Sequence, residues 1–207
     1  AVALNKSKSK TALWLGGQLS DNPEAEASIV AQSITASAYN YKKHNSNKSP
    51  DLESVVFWTA DQSTSNAVEA GLNYGAAVGD GMNIAKQLGN LPANICTPSY
   101  LADQAIELSK KKLKNASVTT EILDRADMQK LKMESLLSVA QGSDEPPKLI
   151  VINYQGAEPT KKPVVLVGKA VTFDTGGISL KPGRDMDEMK YDMCGGASVL
   201  GVIKALT

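Results

Sequence analysis

Val164-Val-Leu-Val-Gly-Lys-Ala-Val-Thr-Phe-Asp174-Thr-Gly-Gly-Ile-Ser-Leu-Lys-Pro182 is the stretch on which the fold turns. Its first four residues are apolar without alternation, which suits a strand covered on both faces by helices rather than one half open to water. Upstream, Ser117-Val-Thr-Thr-Glu-Ile-Leu123 and Lys148-Leu-Ile-Val-Ile-Asn-Tyr154 read as strands, with a helix from Arg125 to Val139 between them. Before these, Thr97-Pro98 opens a helix, Thr97 as N-cap and Pro98 at the first helical position. That helix is expected to reach about Lys114, where Lys110-Lys-Lys-Leu-Lys114 forms a solvated face that complements the C-terminal dipole. Downstream, Val199, Leu200, Ile203 and Leu206 repeat with a helical period. Helices therefore alternate with strands from Asn94 onward, which predicts an α/β fold with a mixed or mostly parallel central sheet and Val164–Val167 in its middle.

The first third of the chain reads as another α/β unit. Thr11-Ala-Leu-Trp-Leu15, closed by Gly16-Gly17, and Ser54-Val-Val-Phe-Trp-Thr59 are strand candidates. Between them Asp21-Asn-Pro23 looks like a helix start, with Glu24 and Glu26 in the first turn and a helical pattern to about Tyr41. Residues 65–89 carry a longer helical pattern in which Gly71, Gly75 and Gly79 fall on one face. Each glycine inside a helix costs about 1 kcal/mol relative to alanine, so three in register predict close backbone approach to a partner element. The alternative is a helix broken or kinked at these positions.

Composition narrows the function. The 207 residues carry 22 Lys and Arg against 22 Asp and Glu, a formal net charge of zero. This removes the electrostatic case for a nucleic-acid binder or an anionic-membrane binder. The apolar runs fall well short of the ~18 residues that a membrane span needs, and no apolar signal segment is visible at the start. His44 is the single histidine, in a polar segment that marks it as a surface residue, so paired-histidine metal motifs are excluded. Cys96 and Cys194 are too far apart in sequence for a Cys-x-x-Cys site and read as free thiols suited to a reducing cytosol. Familiar motifs fail locally: Pro163 and Ala170 rule out a P-loop, and Lys181 breaks a Gly-x-Ser-x-Gly elbow. At Gly79-Asp-Gly81 the third glycine of a dinucleotide fingerprint is replaced by Ile84.

What remains is a concentration of charge: Lys169, Asp174, Lys181, Asp185, Asp187, Glu188 and Asp192. A charged surface loop would look the same. However, Lys169 follows the apolar run after a single glycine, and Asp174 precedes Thr175-Gly176-Gly177, whose small residues let something approach the backbone. Carboxylates with lysines suit a divalent cation where histidine is missing. Lysine ligates only as the free amine, and neutralising it at pH 7 from a reference pKa of ~10.4 costs about 4.6 kcal/mol, which a dication at bonding distance can offset.

The stretch Leu166–Pro182, followed by Met186-Asp-Glu-Met-Lys-Tyr-Asp-Met-Cys-Gly-Gly-Ala-Ser-Val199, closely resembles the cytosolic leucyl aminopeptidase family of two-metal exopeptidases. Asn90-Leu-Pro-Ala-Asn-Ile-Cys-Thr-Pro98 resembles the family's entry to its catalytic domain, and the region from Tyr39 to Ser49, more loosely, the end of its amino-terminal domain. Carried over residue by residue, the resemblance implies that Lys169, Asp174 and Asp192 are metal ligands, with Asp174 bridging two ions. It also implies that Lys181 is the catalytic lysine that polarises the scissile carbonyl, and that Met189 lines the pocket for the substrate's first side chain. Asp185, Asp187 and Glu188 match no ligand position and read as loop charges. Ala170 and Thr175 stand where many relatives have Gly and Ser, which leaves the ligand set untouched.

The resemblance further implies two divalent cations, Zn2+ or Mn2+ or Mg2+, peptide substrates with bulky apolar N-terminal residues, a homo-hexamer and a cytoplasmic location. The family completes its site with an Asp-x-Glu-x-Arg segment, two more carboxylate ligands and an arginine holding bicarbonate, that is not found in these 207 residues. The chain is therefore expected to be a piece, with little activity on its own. The expected organisation is the end of an amino-terminal α/β domain over 1–64, a linking helix over 65–91 and the first part of the catalytic domain over 92–207. Two other readings fit the charge cluster: a divalent-metal phosphohydrolase, and an inactive piece with a structural or assembly role only.

Overall fold

The computed structural model describes residues 10–15, 21–41 and 52–207. His44, the Gly16-Gly17 stop and most of the Tyr39–Ser49 segment lie outside the described residues. The chain is of the α/β class and divides into two compact units, one of residues 1–84 with 204–206, the other of residues 85–203 with 207.

In the first unit, β1 (Thr11–Leu15) and β2 (Ser54–Trp58) pair in parallel, Thr11 opposite Ser54 through Leu15 opposite Trp58. Alternation turns Trp14 and Phe57 to one face, with ring centroids 6.2 Å apart, and leaves Leu13, Leu15, Val56 and Trp58 on the exposed one. The helix α1 (Pro23–Ser37) starts as its sequence predicts: Pro23 holds the first helical position and the Asn22 side chain accepts from the Ala25 N–H at 3.0 Å. The Trp14 indole donates to the buried Glu26 carboxylate at 3.0 Å, tying helix to strand.

The long helix α2 (Gln62–Asn90) is capped by Asp61, whose carboxylate accepts from the Thr64 N–H and from the Thr64 and Ser63 hydroxyls. Those bonds, the Thr64 N–H first, hold the Asp61 carboxyl down to about 2. The helix runs unbroken through its glycines. A Cβ at Gly71 would lie 2.1 Å from the Glu24 carbonyl oxygen, one at Gly75 2.1 Å from that of Ser28, and one at Gly79 2.6 Å from the Thr35 Cβ. One turn further on, the Asn83 amide donates to the Thr35 carbonyl at 2.9 Å. The glycine face is thus the seam against α1, a contact within the chain.

The second unit holds the last turns of α2, then α3 (Pro98–Ser109), with the Thr97 hydroxyl accepting from the Tyr100 N–H at 3.2 Å. Leu101, Ala102, Ala105 and Leu108 form its buried stripe. The helix ends before the lysine run, which lies exposed beyond it, because the apolar stripe gives out at Leu108. β3 (Ser117–Leu123) and β4 (Leu149–Gln155) pair antiparallel, Ser117 opposite Gln155 through Leu123 opposite Leu149.

Further expectations are corrected in this unit. The predicted helix from Arg125 to Val139 is two, α4 (Arg125–Lys130) and α5 (Glu134–Val139). Lys132 at φ 55° reverses the chain, and the Met133 and Lys132 N–H groups donate to the Met128 and Gln129 carbonyls at 3.0 Å each, a Schellman closure with lysine where glycine is usual. The fully buried Met128 anchors the turn. The second correction concerns Val164–Val167, which form no strand and stand 88, 76, 50 and 92% exposed. A strand needs a hydrogen-bonded neighbour, and among the described residues β3 and β4 pair only with each other.

Beyond this segment the 3₁₀ turn Met186–Met193 leads into α6 (Cys194–Leu206). The buried positions of α6 are Ala197, Leu200, Gly201 and Ile203, so its apolar stripe is rotated from the predicted one, with Leu206 exposed. Among the described residues no helix is long and apolar enough to cross a membrane.

Candidate active site

The loop after residue 167 folds back on itself and carries three charged side chains to one place. The Asp174 carboxylate accepts through Oδ1 from the Gly176 N–H at 2.9 Å. Gly176 and Gly177 take φ of 100° and 94°, a conformation that side chains disfavour, and a Cβ at Gly176 would lie 2.5 Å from the Ser179 carbonyl oxygen. The Lys181 N–H then closes the loop onto the Thr175 carbonyl at 2.9 Å, returning the Lys181 side chain toward Asp174.

Four side chains meet there. Lys169 Nζ lies 3.1 Å from Asp174 Oδ2 and 3.4 Å from Asp192 Oδ2. Lys181 Nζ lies 3.5 Å and 3.4 Å from the same two oxygens. Each carboxylate oxygen therefore sits between two ammonium groups, and the cluster is neutral within itself. Lys169 and Asp192 are brought together across a long loop, as the sequence reading expects. Met189, on the 3₁₀ turn with Asp192, accepts from Lys181 Nζ through its sulfur at 3.0 Å. Asp185, Asp187 and Glu188 stay outside and exposed, Asp185 paired with Arg184 at 3.3 Å.

The electrostatics follow from this geometry. The hydrogen bond from Lys169 and then that from the Gly176 N–H hold the Asp174 carboxyl below the usual carboxylate range. The hydrogen bond to Asp174 in turn raises Lys169, against an opposing effect of burial and with lesser help from the Asp192 charge.

As a donor set, the cluster fits part of a divalent centre. Among the described residues no three carboxylate, histidine or cysteine side chains gather at one point. Two carboxylates and one lysine amine are what the cluster offers, fewer donors than the four of a zinc site or six of magnesium. An open cleft of about 250 Å3 elsewhere in the same unit, lined by Ser99, Asp103, Ile106, Ile122, Asp124 and Lys148, contains none of these residues.

Two features escaped the sequence reading. One is a contact of Gly168, Gly195 and Gly196, for which the doubled glycine at a helix start was the available signal. The other is the burial of Cys96 beside Cys194. Both are free, and Cys96 is buried, which together with the neighbouring Cys194 pushes its thiol up to about 11.

An α/β protein with a lysine and aspartate cluster at the mouth of a glycine loop is the class that fold and site define. Within that class, residues 83–207 match the cytosol aminopeptidase family, catalytic domain, and the chain belongs to this family. A probable cytosol aminopeptidase of Azoarcus sp. (strain BH72) is 61% identical over 142 residues, 69% of this chain and 28% of that protein. One from Saccharophagus degradans is 49% identical over 187 residues, 88% of this chain and 36% of the relative. Among solved structures, a tomato leucine aminopeptidase variant superposes with a TM-score of 0.75 at 29% identity, over 99% of this chain and 39% of that one. A bottromycin maturation enzyme, BotP, in complex with Mn, does so with a TM-score of 0.71 at 30% identity, over 97% and 41%. The chain thus spans about a third of the length of the curated relatives it matches.

Proposed function

We propose that the chain contributes the first part of the active site of a metal-dependent aminopeptidase that removes bulky apolar N-terminal residues from peptides. The observation that carries this reading is the convergence of Lys169, Asp174, Lys181 and Asp192 within the segment that matches the family. The same match favours peptide amides over phosphoesters as substrates, and catalysis over a purely structural role.

In this reading Asp174, Asp192 and Lys169 would hold divalent ions, Zn2+, Mn2+ or Mg2+. When bound, these ions supply Lewis acidity toward the scissile carbonyl and acidify the attacking water. Lys169 gives up its proton to serve as a ligand. Lys181 keeps its own and donates to the carbonyl oxygen as charge develops there, the action of an oxyanion-hole donor. Met189, in contact with Lys181, sets one wall of the pocket for the first side chain. Further carboxylates and an arginine that holds bicarbonate as base come from outside these 207 residues. We place the end of an amino-terminal domain at residues 1–64, a linking helix at 65–91 and the first part of the catalytic domain at 92–207. The complete protein is a cytoplasmic homo-hexamer in this reading.

The test is a pair of substitutions in the protein at its relatives' full length. Lys169→Ala should weaken binding of Mn2+ or Zn2+. Lys181→Ala should keep the metal and lower kcat for a leucyl amide by about 10²- to 10³-fold, as loss of one oxyanion donor does. Equal metal loss in both variants would refute this division of roles.

A further inference from the structure

Gly168, Gly195 and Gly196 bring two backbones into direct contact beside the charge cluster. A Cβ at Gly168 would lie 2.4 Å from the Gly195 carbonyl oxygen and 2.7 Å from the Gly196 nitrogen. One at Gly195 would lie 3.0 Å from the Lys169 nitrogen, and one at Gly196 2.7 Å from the Ala170 Cβ. No side chain larger than hydrogen fits at Gly168 without moving a main chain.

The contact is also bonded. The Gly196 N–H donates to the Lys169 carbonyl at 2.6 Å. Gly196 lies in the first turn of α6, where N–H groups lack intrahelical partners, so the peptide of Lys169 supplies what the helix start needs. Asp192 is two residues before α6 begins, on the turn that leads into it. Whatever fixes the start of α6 against residue 169 therefore fixes where the Lys169 amine and the Asp192 carboxylate can meet, now at 3.4 Å.

We propose that Gly168, Gly195 and Gly196 are positioning residues, a backbone latch that sets the spacing of Lys169 and Asp192 for metal binding. The inference rests on the metal-site reading above. A ligand shell tolerates errors of only a few tenths of an ångström, and a methyl group at Gly196 forces a displacement of that size or more. The latch touches neither ligand side chain and acts through their main chains.

The test uses the full-length protein, with Mn2+ affinity measured from the electron paramagnetic resonance signal of the free ion and thermal melting followed in parallel. Gly196→Ala should weaken Mn2+ binding by roughly 10- to 100-fold, the range seen when groups that orient metal ligands are lost. Ala170→Gly removes the methyl that the new side chain strikes, so the double variant Gly196→Ala with Ala170→Gly should recover much of the affinity. A purely structural role would lower the melting temperature and leave the affinity of the folded protein unchanged. That result, or a double variant no better than the single one, overturns the latch. Asp174→Asn separates the two levels: if it leaves Mn2+ affinity unchanged, the metal-site reading itself fails. If it abolishes binding while Gly196→Ala does not weaken it, only the latch fails. Should Gly196→Ala not fold, Gly195→Ala, whose Cβ meets the Lys169 nitrogen at the milder 3.0 Å, takes its place with the same expected loss.

Discussion

Replacing Gly75 by alanine sets two physical effects against each other, and the structure decides which prevails. In an isolated helix the change should stabilise, since alanine is favoured over glycine by about 1 kcal/mol. At Gly75, however, the new Cβ would lie 2.1 Å from the Ser28 carbonyl oxygen and 2.8 Å from its carbon. Ordinary contact is about 3.5 Å, so α1 and α2 must part by roughly 1.4 Å. The atoms struck are main chain and cannot rotate aside. Overpacking of this kind costs about 1–3 kcal/mol, and a rigid backbone partner belongs at the upper end, which leaves a net loss of about 2 kcal/mol. For a chain of this size that is a fall of about 4–8 °C in Tm. The assay is thermal melting of the purified 207-residue chain, with Gly142→Ala as control, where a Cβ meets nothing within 4 Å. An unchanged or raised Tm for Gly75→Ala, with the control behaving alike, would refute the tight seam between the two helices.

Lys132→Gly should raise Tm by about 2–4 °C, because relieving a side chain at φ 55° recovers about 1 kcal/mol; a lowered Tm would mean that the lysine side chain does more than tolerate the turn. The Cys96 thiol, raised by burial from 9.0 to about 11, should resist iodoacetamide at pH 8 in the folded chain and react once urea unfolds it, as mass spectrometry of the labelled chain would show. The folded state holds that proton more tightly than the unfolded one, so its contribution to stability is intact below about pH 9 and is lost as pH rises toward 11. Urea midpoints measured across that range should fall, and a flat profile would contradict the burial argument.

Much of the local structure was legible because local chemistry determines it. Asn22 and Thr97, each before a proline, announce helix starts through one side chain and one missing N–H, and both caps form. The glycine face of α2 was legible as a close contact, though its partner α1 was not, since spacing says nothing about what lies opposite. Val164–Val167 show what a local pattern leaves open. An unbroken apolar run reports a demand for burial but not the neighbours that would meet it, and among the described residues none does. The break at Lys132 was invisible because lysine carries no turn signal; the buried Met128 and the Schellman bonds impose the conformation from outside. At the site, no periodicity links Lys169 to Asp192. Their meeting depends on the loop from Thr175 to Lys181 and on the glycine contact at α6, both tertiary features.

Whether Asp174 and its neighbours form a divalent centre is decided by counting ions. Metal content per chain should be measured by mass spectrometry of the elements in the protein at its relatives' full length, unmodified and as Asp174→Ala. Two divalent ions per chain are expected, falling below one when the Asp174 carboxylate is removed. Two ions retained in the variant would contradict that expectation.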